Sequence, residues 1–131
     1  MLHIDEIAKN AFVDIKIPMR LKSVNIQECW QKRHARSKNE RFYVNMTLKP
    51  RASCISLPVE VLIVRYASKK MDSDNFIAAC KYLKDEIANI LVPTNRSGST
   101  DEDSRISWKY MQKNGEYCVR IIISKRESTN E

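Results

Sequence analysis

Glycine is scarce in this 131-residue chain: there are two, Gly98 and Gly115, and neither a GxxxxGK nor a GxGxxG loop is present. Nucleotide-dependent phosphoryl transfer through those phosphate-cradling loops is excluded. Long apolar runs are missing too, none approaching the roughly 20 residues that cross a bilayer. The opening residues, MLHIDEIAKNAF, lack a basic stretch followed by an apolar one, so no signal peptide is read there. Four cysteines, Cys29, Cys54, Cys80 and Cys118, stand 25, 26 and 38 residues apart. That spacing excludes a CxxC zinc ribbon or a dense disulfide framework and points to a reducing cytoplasm. The two histidines are far apart, which disfavours zinc.

What is present is the composition of one globular domain, 43% hydrophobic and 30% charged. A single domain is expected over residues 1–131, with 1–9 and 125–131 as flexible ends. The net charge of +7 is unevenly spread. From Lys16 to Arg51 there are ten Lys/Arg against two acids, Glu28 and Glu40; from Asp72 to Asp103 there are seven acids against three bases. A basic segment interleaved with Trp30, Phe42 and Tyr43 suits a phosphate backbone, because each Lys/Arg–phosphate contact releases a condensed counterion. A solvated helix face explains the same composition equally well. Aspartates near a polyanion are useful only with a divalent cation between them.

Phe12–Ile17 alternates loosely, predicting a first strand ended by Pro18. Residues 25–49 read as mostly helical, broken near Ser37–Asn39, with Ile26, Trp30, Val44 and Leu48 as face anchors. Pro50 and Pro58 bracket a loop, and VEVLIVRY (59–66) is apolar on both faces, as in a central buried strand. Phe76, Cys80, Leu83, Ile87 and Ile90 recur at helical spacing and stop before Pro93. Ile106, Trp108 and Tyr110 alternate into Asn114–Gly115, and Cys118–Ser124 runs back out, the pattern of a β-hairpin. Trp108 and Tyr110 are then core or interface residues rather than base-stacking groups. The expected architecture is α+β: a mixed sheet with helices packed on it and a C-terminal β-hairpin.

Chemistry concentrates at Asp72-Ser73-Asp74-Asn75. Residues two apart in an extended segment point the same way, so both carboxylates can converge; the competing reading makes Asp74 a helix N-cap. On a straight helix Lys81 returns to within roughly 20° of the face of Asp74, and Asp85 follows four residues later, within pairing reach. A second acidic set, Asp101, Glu102 and Asp103, stands at a loop-to-strand junction. Several carboxylates with one lysine suit phosphodiester hydrolysis assisted by one or two Mg²⁺.

In this order the residues resemble the RusA-type Holliday-junction resolvase family. The resemblance rests on D-x-D-N (Asp72, Asp74, Asn75), a helix with K-x-x-x-D (Lys81, Asp85), and Glu102-Asp103 before Ile106. The early basic segment with Asn25 and Trp30 also looks like that family's N-terminal part. The resemblance implies metal-binding aspartates at Asp72, Asp74 and Asp103, a catalytic lysine at Lys81, and Mg²⁺ (or Mn²⁺) as cofactor. It further implies symmetric cleavage of branched, four-way DNA by a homodimer, with no membrane and no nucleotide cofactor involved. Lys22, Lys32, Arg33, Arg36, Lys38 and Arg41 would hold the DNA arms through phosphates. Two departures stand out. The interval from Asn75 to Lys81 is about one helical turn longer than the family pattern, which makes Lys84 a rival. The acidic pair is Glu-Asp rather than Asp-Asp, which leaves Asp101 as an alternative ligand. The other readings are a catalytically impaired nucleic-acid-binding protein, a structural or interaction protein with no DNA role and, more distantly, a DxD sugar-nucleotide transferase.

Overall fold

The apolar run Val59–Ala67 forms strand β2, and its surroundings organise the molecule. The computed structural model describes residues 3–22, 29–92 and 103–126. Residues 61–65 of β2 are all buried. A strand covered on both faces cannot leave its backbone N–H and C=O groups to water, so it needs a partner on each edge. On one edge lies β3 (Ile106–Asn114), parallel, in register from Val59–Ile106 to Ala67–Asn114. On the other lies β4 (Cys118–Lys125), antiparallel, from Val59–Lys125 to Tyr66–Cys118. β1 (Val13–Ile17) closes the sheet against β4, giving the order β1-β4-β2-β3.

The expected C-terminal hairpin is therefore not formed. β3 and β4 are consecutive in sequence but lie on opposite edges of β2, joined by Gly115–Tyr117 passing over its end. The Gly115 N–H donates to the Ala67 carbonyl at 3.1 Å. Asn114 and Gly115 lack the positive φ that a two-residue type I′ turn requires. A local turn signal lost to the demand of β2 for two neighbours.

The α+β class holds, with a mixed four-stranded sheet and helices on it. One face carries α2 (Trp30–Leu48), a 3₁₀ helix (Lys49–Cys54), α3 (Ser73–Ala79) and α4 (Lys81–Leu91). The core between them includes Ile15, Ile17, Val61, Ile63, Leu83, Ile87, Ile121 and Ile123. Phe76, Cys80, Leu83 and Ile87 are buried as their spacing predicts. Trp108 and Tyr110 pack partly buried against this core, Tyr110 edge-on to Phe76. Residues 4–9, expected as a flexible end, form α1 on the opposite face, where Ile4 packs with Leu62, Val64 and Ile122. Among the described residues no helix is long and apolar enough to cross a membrane.

Three local expectations are corrected. The amphipathic helix is two helices, jointed at Cys80 (φ −81°, ψ 0°), whose N–H is shared between the Phe76 and Ile77 carbonyls at 3.1 and 3.2 Å. The apolar stripe runs unbroken through the joint, so both halves stay on the sheet. α2 is continuous through Ser37–Asn39, and the Ser37 hydroxyl donates back to the His34 carbonyl at 3.0 Å, so its polar group is satisfied without ending the helix. Trp30 is no core anchor: it is 69% exposed and stacks on His34 one turn along. Ile26 lies outside the described residues.

Leu83 is fully buried, whereas Ile77 is 41% exposed on the outer side of α3. In urea unfolding, Leu83→Ala is expected to lower stability by about 3 kcal/mol, and Ile77→Ala by about 0.5 kcal/mol or less.

Candidate nucleic-acid interface

Strand directions decide which side chains share a neighbourhood. β1 and β2 are both antiparallel to β4, and β3 is parallel to β2, so β1, β2 and β3 all run the same way. Their C-terminal ends therefore lie together, at what we call the upper end. Pro18–Lys22, Ser68–Asp74 and the Gly115–Tyr117 link all emerge there.

The first half of α2 also stands at this end. Pro18–Lys22 and α2 enclose an open groove of about 560 Å³ lined by Arg20, Lys22, Lys32, Arg36, Glu40 and Tyr43, among others. Glu40 is only 2% exposed and pairs with Arg36 at 3.3 Å across one helical turn. Four bases against one acid leave the groove cationic, and a wall of low polarizability behind exposed cations strengthens their field. Residues 29–35 are exposed on every side, so α2 begins clear of the body, and Lys32 and Arg33 are carried on this projection.

Of the six expected DNA contacts, Lys22, Lys32 and Arg36 thus share the groove, with Arg33 beside it on the projecting turn. Lys38 and Arg41 lie on the other flank of α2. Arg41 is engaged within the fold: it reaches Asp85 at 3.3 Å and Glu86 at 3.9 Å, tying α2 to α4. Asn45 donates to Glu86 at 3.0 Å in the same seam. Arg20 belongs to the groove but was not among the expected contacts; no local pattern singles it out, because only the return of α2 over β1 puts it there.

The carboxylates divide between the two ends of the sheet. Asp72 occupies the N-cap position of α3, in place of the Asp74 considered from sequence, and makes no side-chain cap bond. Asp72 and Asp74 are both exposed, and neither forms an ion pair among the described residues. Asp103 sits before the first residue of β3, its carbonyl accepting from Ile106 N–H. The segment leading to Asp72 is held at the far end of that strand, because Met71 exchanges hydrogen bonds with the Gln112 side chain at 2.9 and 2.7 Å. Gln112 lies six residues along β3 from Ile106, about 20 Å at strand rise.

Asp103 is moreover occupied: the Arg105 backbone N–H, Nε and Nη2 donate to it at 2.9, 3.0 and 2.8 Å. These bonds hold its carboxyl well down, at about 2. Among the described residues no three His, Cys, Asp or Glu side chains are grouped to hold a metal ion. A Mg²⁺ centre of Asp72, Asp74 and Asp103 does not fit one copy of this chain. Asp101 and Glu102 lie outside the described residues.

The lysines are placed differently from the straight-helix expectation. Lys81 opens α4 beyond the Cys80 joint, is exposed, and pairs with Asp85 at 3.4 Å. Its rival Lys84 lies over the Trp108 ring, 5.1 Å from the centroid. Comparison with known proteins finds no family model, no curated protein and no solved structure that matches this chain.

The folded Asp103 carboxyl titrates below the ordinary aspartate value of 3.8. The pair with Arg105 therefore adds stability at neutral pH, and that contribution fades as the pH falls from about 4 through about 2. A carboxyl ¹³C NMR titration is expected to place the Asp103 midpoint near 2; a midpoint near the ordinary value would show that the pairing does not persist in solution.

Proposed function

We propose that this protein binds nucleic acid through its phosphate backbone, along the groove between Pro18–Lys22 and α2. The observation that carries this reading is the convergence of Arg20, Lys22, Lys32 and Arg36 on one open, concave surface. These residues come from two segments that only the fold brings together. Guanidinium and ammonium groups at such a surface replace condensed counterions along a phosphate chain, which gives affinity without sequence readout. The resemblance to the junction resolvases makes branched, four-way DNA the first ligand to try.

Lys22 and Lys32 are the exposed lysines of the groove. Anisotropy titrations of a labelled four-way junction over a range of salt concentrations test the proposal. If both lysines contact phosphates, Lys22→Ala/Lys32→Ala flattens the slope of log K against log salt by about 1.8. An unchanged slope, or no binding by the wild type at low salt, would sink the reading.

A second reading, Mg²⁺-dependent cleavage of such junctions by a homodimer through Asp72 and Asp74 without Asp103, is favoured by one observation. Asp72 and Asp74 are exposed at the same end of the sheet as the basic groove. Two equivalent strands in a junction call for two sites related by a two-fold axis. With Mg²⁺ present, symmetric nicks by wild type and none by Asp74→Asn would support it. Tight binding without nicks would leave the binding role alone.

A further inference from the structure

The cationic surface does not stop at the groove. The link that carries the chain from β3 to β4 over the end of β2 delivers Tyr117 to the upper end, 43% exposed. The guanidinium carbon of Arg20, a groove residue, lies 4.6 Å from the centroid of the Tyr117 ring. Stacked in this way, a guanidinium keeps its N–H edge directed outward while its face rests on the ring. Ser68 and Lys69 leave β2 at the same point. The neighbouring Ser68 hydroxyl, with the positive charges of Arg20, Arg65 and Lys69, favours the phenolate and holds that phenol below the ordinary tyrosine range.

Arg65 fixes this corner from inside. It is 8% exposed, and its Nη1 donates to the Lys69 carbonyl at 3.0 Å and to Gln112 Oε1 at 2.9 Å. The Lys69 backbone is thereby anchored while its side chain faces solvent. One exposed lysine, one stacked guanidinium and one phenol donor thus adjoin the groove, with Arg20 common to both surfaces.

We propose that Arg20, Lys69 and Tyr117 form a second phosphodiester-binding position, so that a nucleic-acid strand leaving the groove at Arg20 continues across the upper end of β2. This position rests on the nucleic-acid reading above and extends it by giving the strand a direction. The strand runs from α2 toward the segment that carries Asp72, not along the outer flank of α2 past Lys38. The alternating donors suit a phosphate chain, in which successive anionic oxygens meet successive cations and hydroxyls.

Salt-dependent anisotropy titrations on the full chain, with a labelled 20-mer duplex as probe, distinguish the two surfaces. The variants are Lys69→Ala, Tyr117→Ala and Tyr117→Phe, with Lys109→Ala, an exposed lysine of β3, as control. Thermal unfolding of each variant identifies any loss of folding separately. Lys69→Ala is expected to flatten the salt slope by about 0.9. Tyr117→Ala is expected to weaken binding several-fold, Tyr117→Phe to recover the part due to ring stacking, and Lys109→Ala to change nothing. If Lys22→Ala/Lys32→Ala lowers the slope but folded Lys69→Ala and Tyr117→Ala bind as wild type does, the second position is overturned and the groove stands. If the wild type fails to bind the duplex at all, the groove reading fails and this position fails with it.

Discussion

The burial of β2 on both faces is the constraint on which the rest of the structure depends. A strand in that setting must hydrogen-bond along both edges, since no water reaches its backbone. β3 and β4 meet this demand from opposite sides, although they follow one another in sequence. Reaching the parallel edge requires a crossover, and α3 with α4 supplies it, burying Phe76, Cys80, Leu83 and Ile87 on the way. Reaching the other edge requires a link over the end of β2, and this link brings Tyr117 beside Arg20. The parallel pairing also separates the carboxylates, because a crossover returns the chain to the start of the neighbouring strand. Asp72 follows the finish of β2, and Asp103 precedes the beginning of β3.

Much of the charge in the helix layer serves the fold itself. Arg41 joins α2 to α4 through Asp85 and Glu86. Arg65 anchors the exit from β2, and Arg105 organises the entrance to β3 through Asp103. On the outer face of the sheet, Arg120 makes a two-pronged pair with Asp14 at 2.7 Å, a geometry that depresses the Asp14 carboxyl. Once these are set aside, the exposed cations at the upper end lie on Pro18–Lys22, the first turns of α2, Lys69, Lys70 and Lys113. Net charge alone does not tell structural cations from surface cations; their partners in the fold do.

The buried pair of Arg36 and Glu40 has a double character. Glu40 lies on the same stripe as Val44 and Leu48, the inward side of α2, where an apolar residue would ordinarily sit. A buried carboxylate is tolerated only with compensating charge and hydrogen bonds. Arg36 provides part of that compensation while standing in the wall of the groove. The groove is thus tied directly to the packing of α2 on the body.

Short-range periodicity made several elements legible from sequence. VEVLIVRY marks a central strand, the alternation of Phe12–Ile17 marks a first strand, and the four-three spacing from Phe76 to Ile87 marks a helix face. Each follows from the repeat of one backbone conformation against one buried surface, which neighbouring residues encode by themselves. The basic character of residues 16–51 was equally plain. Which strands pair, and which charged groups meet, depended on burial between residues far apart in the chain. The Asn114–Gly115 signal was overridden because β2 needed two partners, and the Asp103 set was carried away from Asp72 and Asp74 by the same pairing. Arg20 and Tyr117 carry no mark of their own, since 97 positions separate them in sequence and only the strand order brings them together. The sequence by itself determined where the sheet strands and the main helical stretches form, because that information is local. The tertiary structure alone decided which ends of them share a surface, because that is settled by covering every edge and face of the core at once.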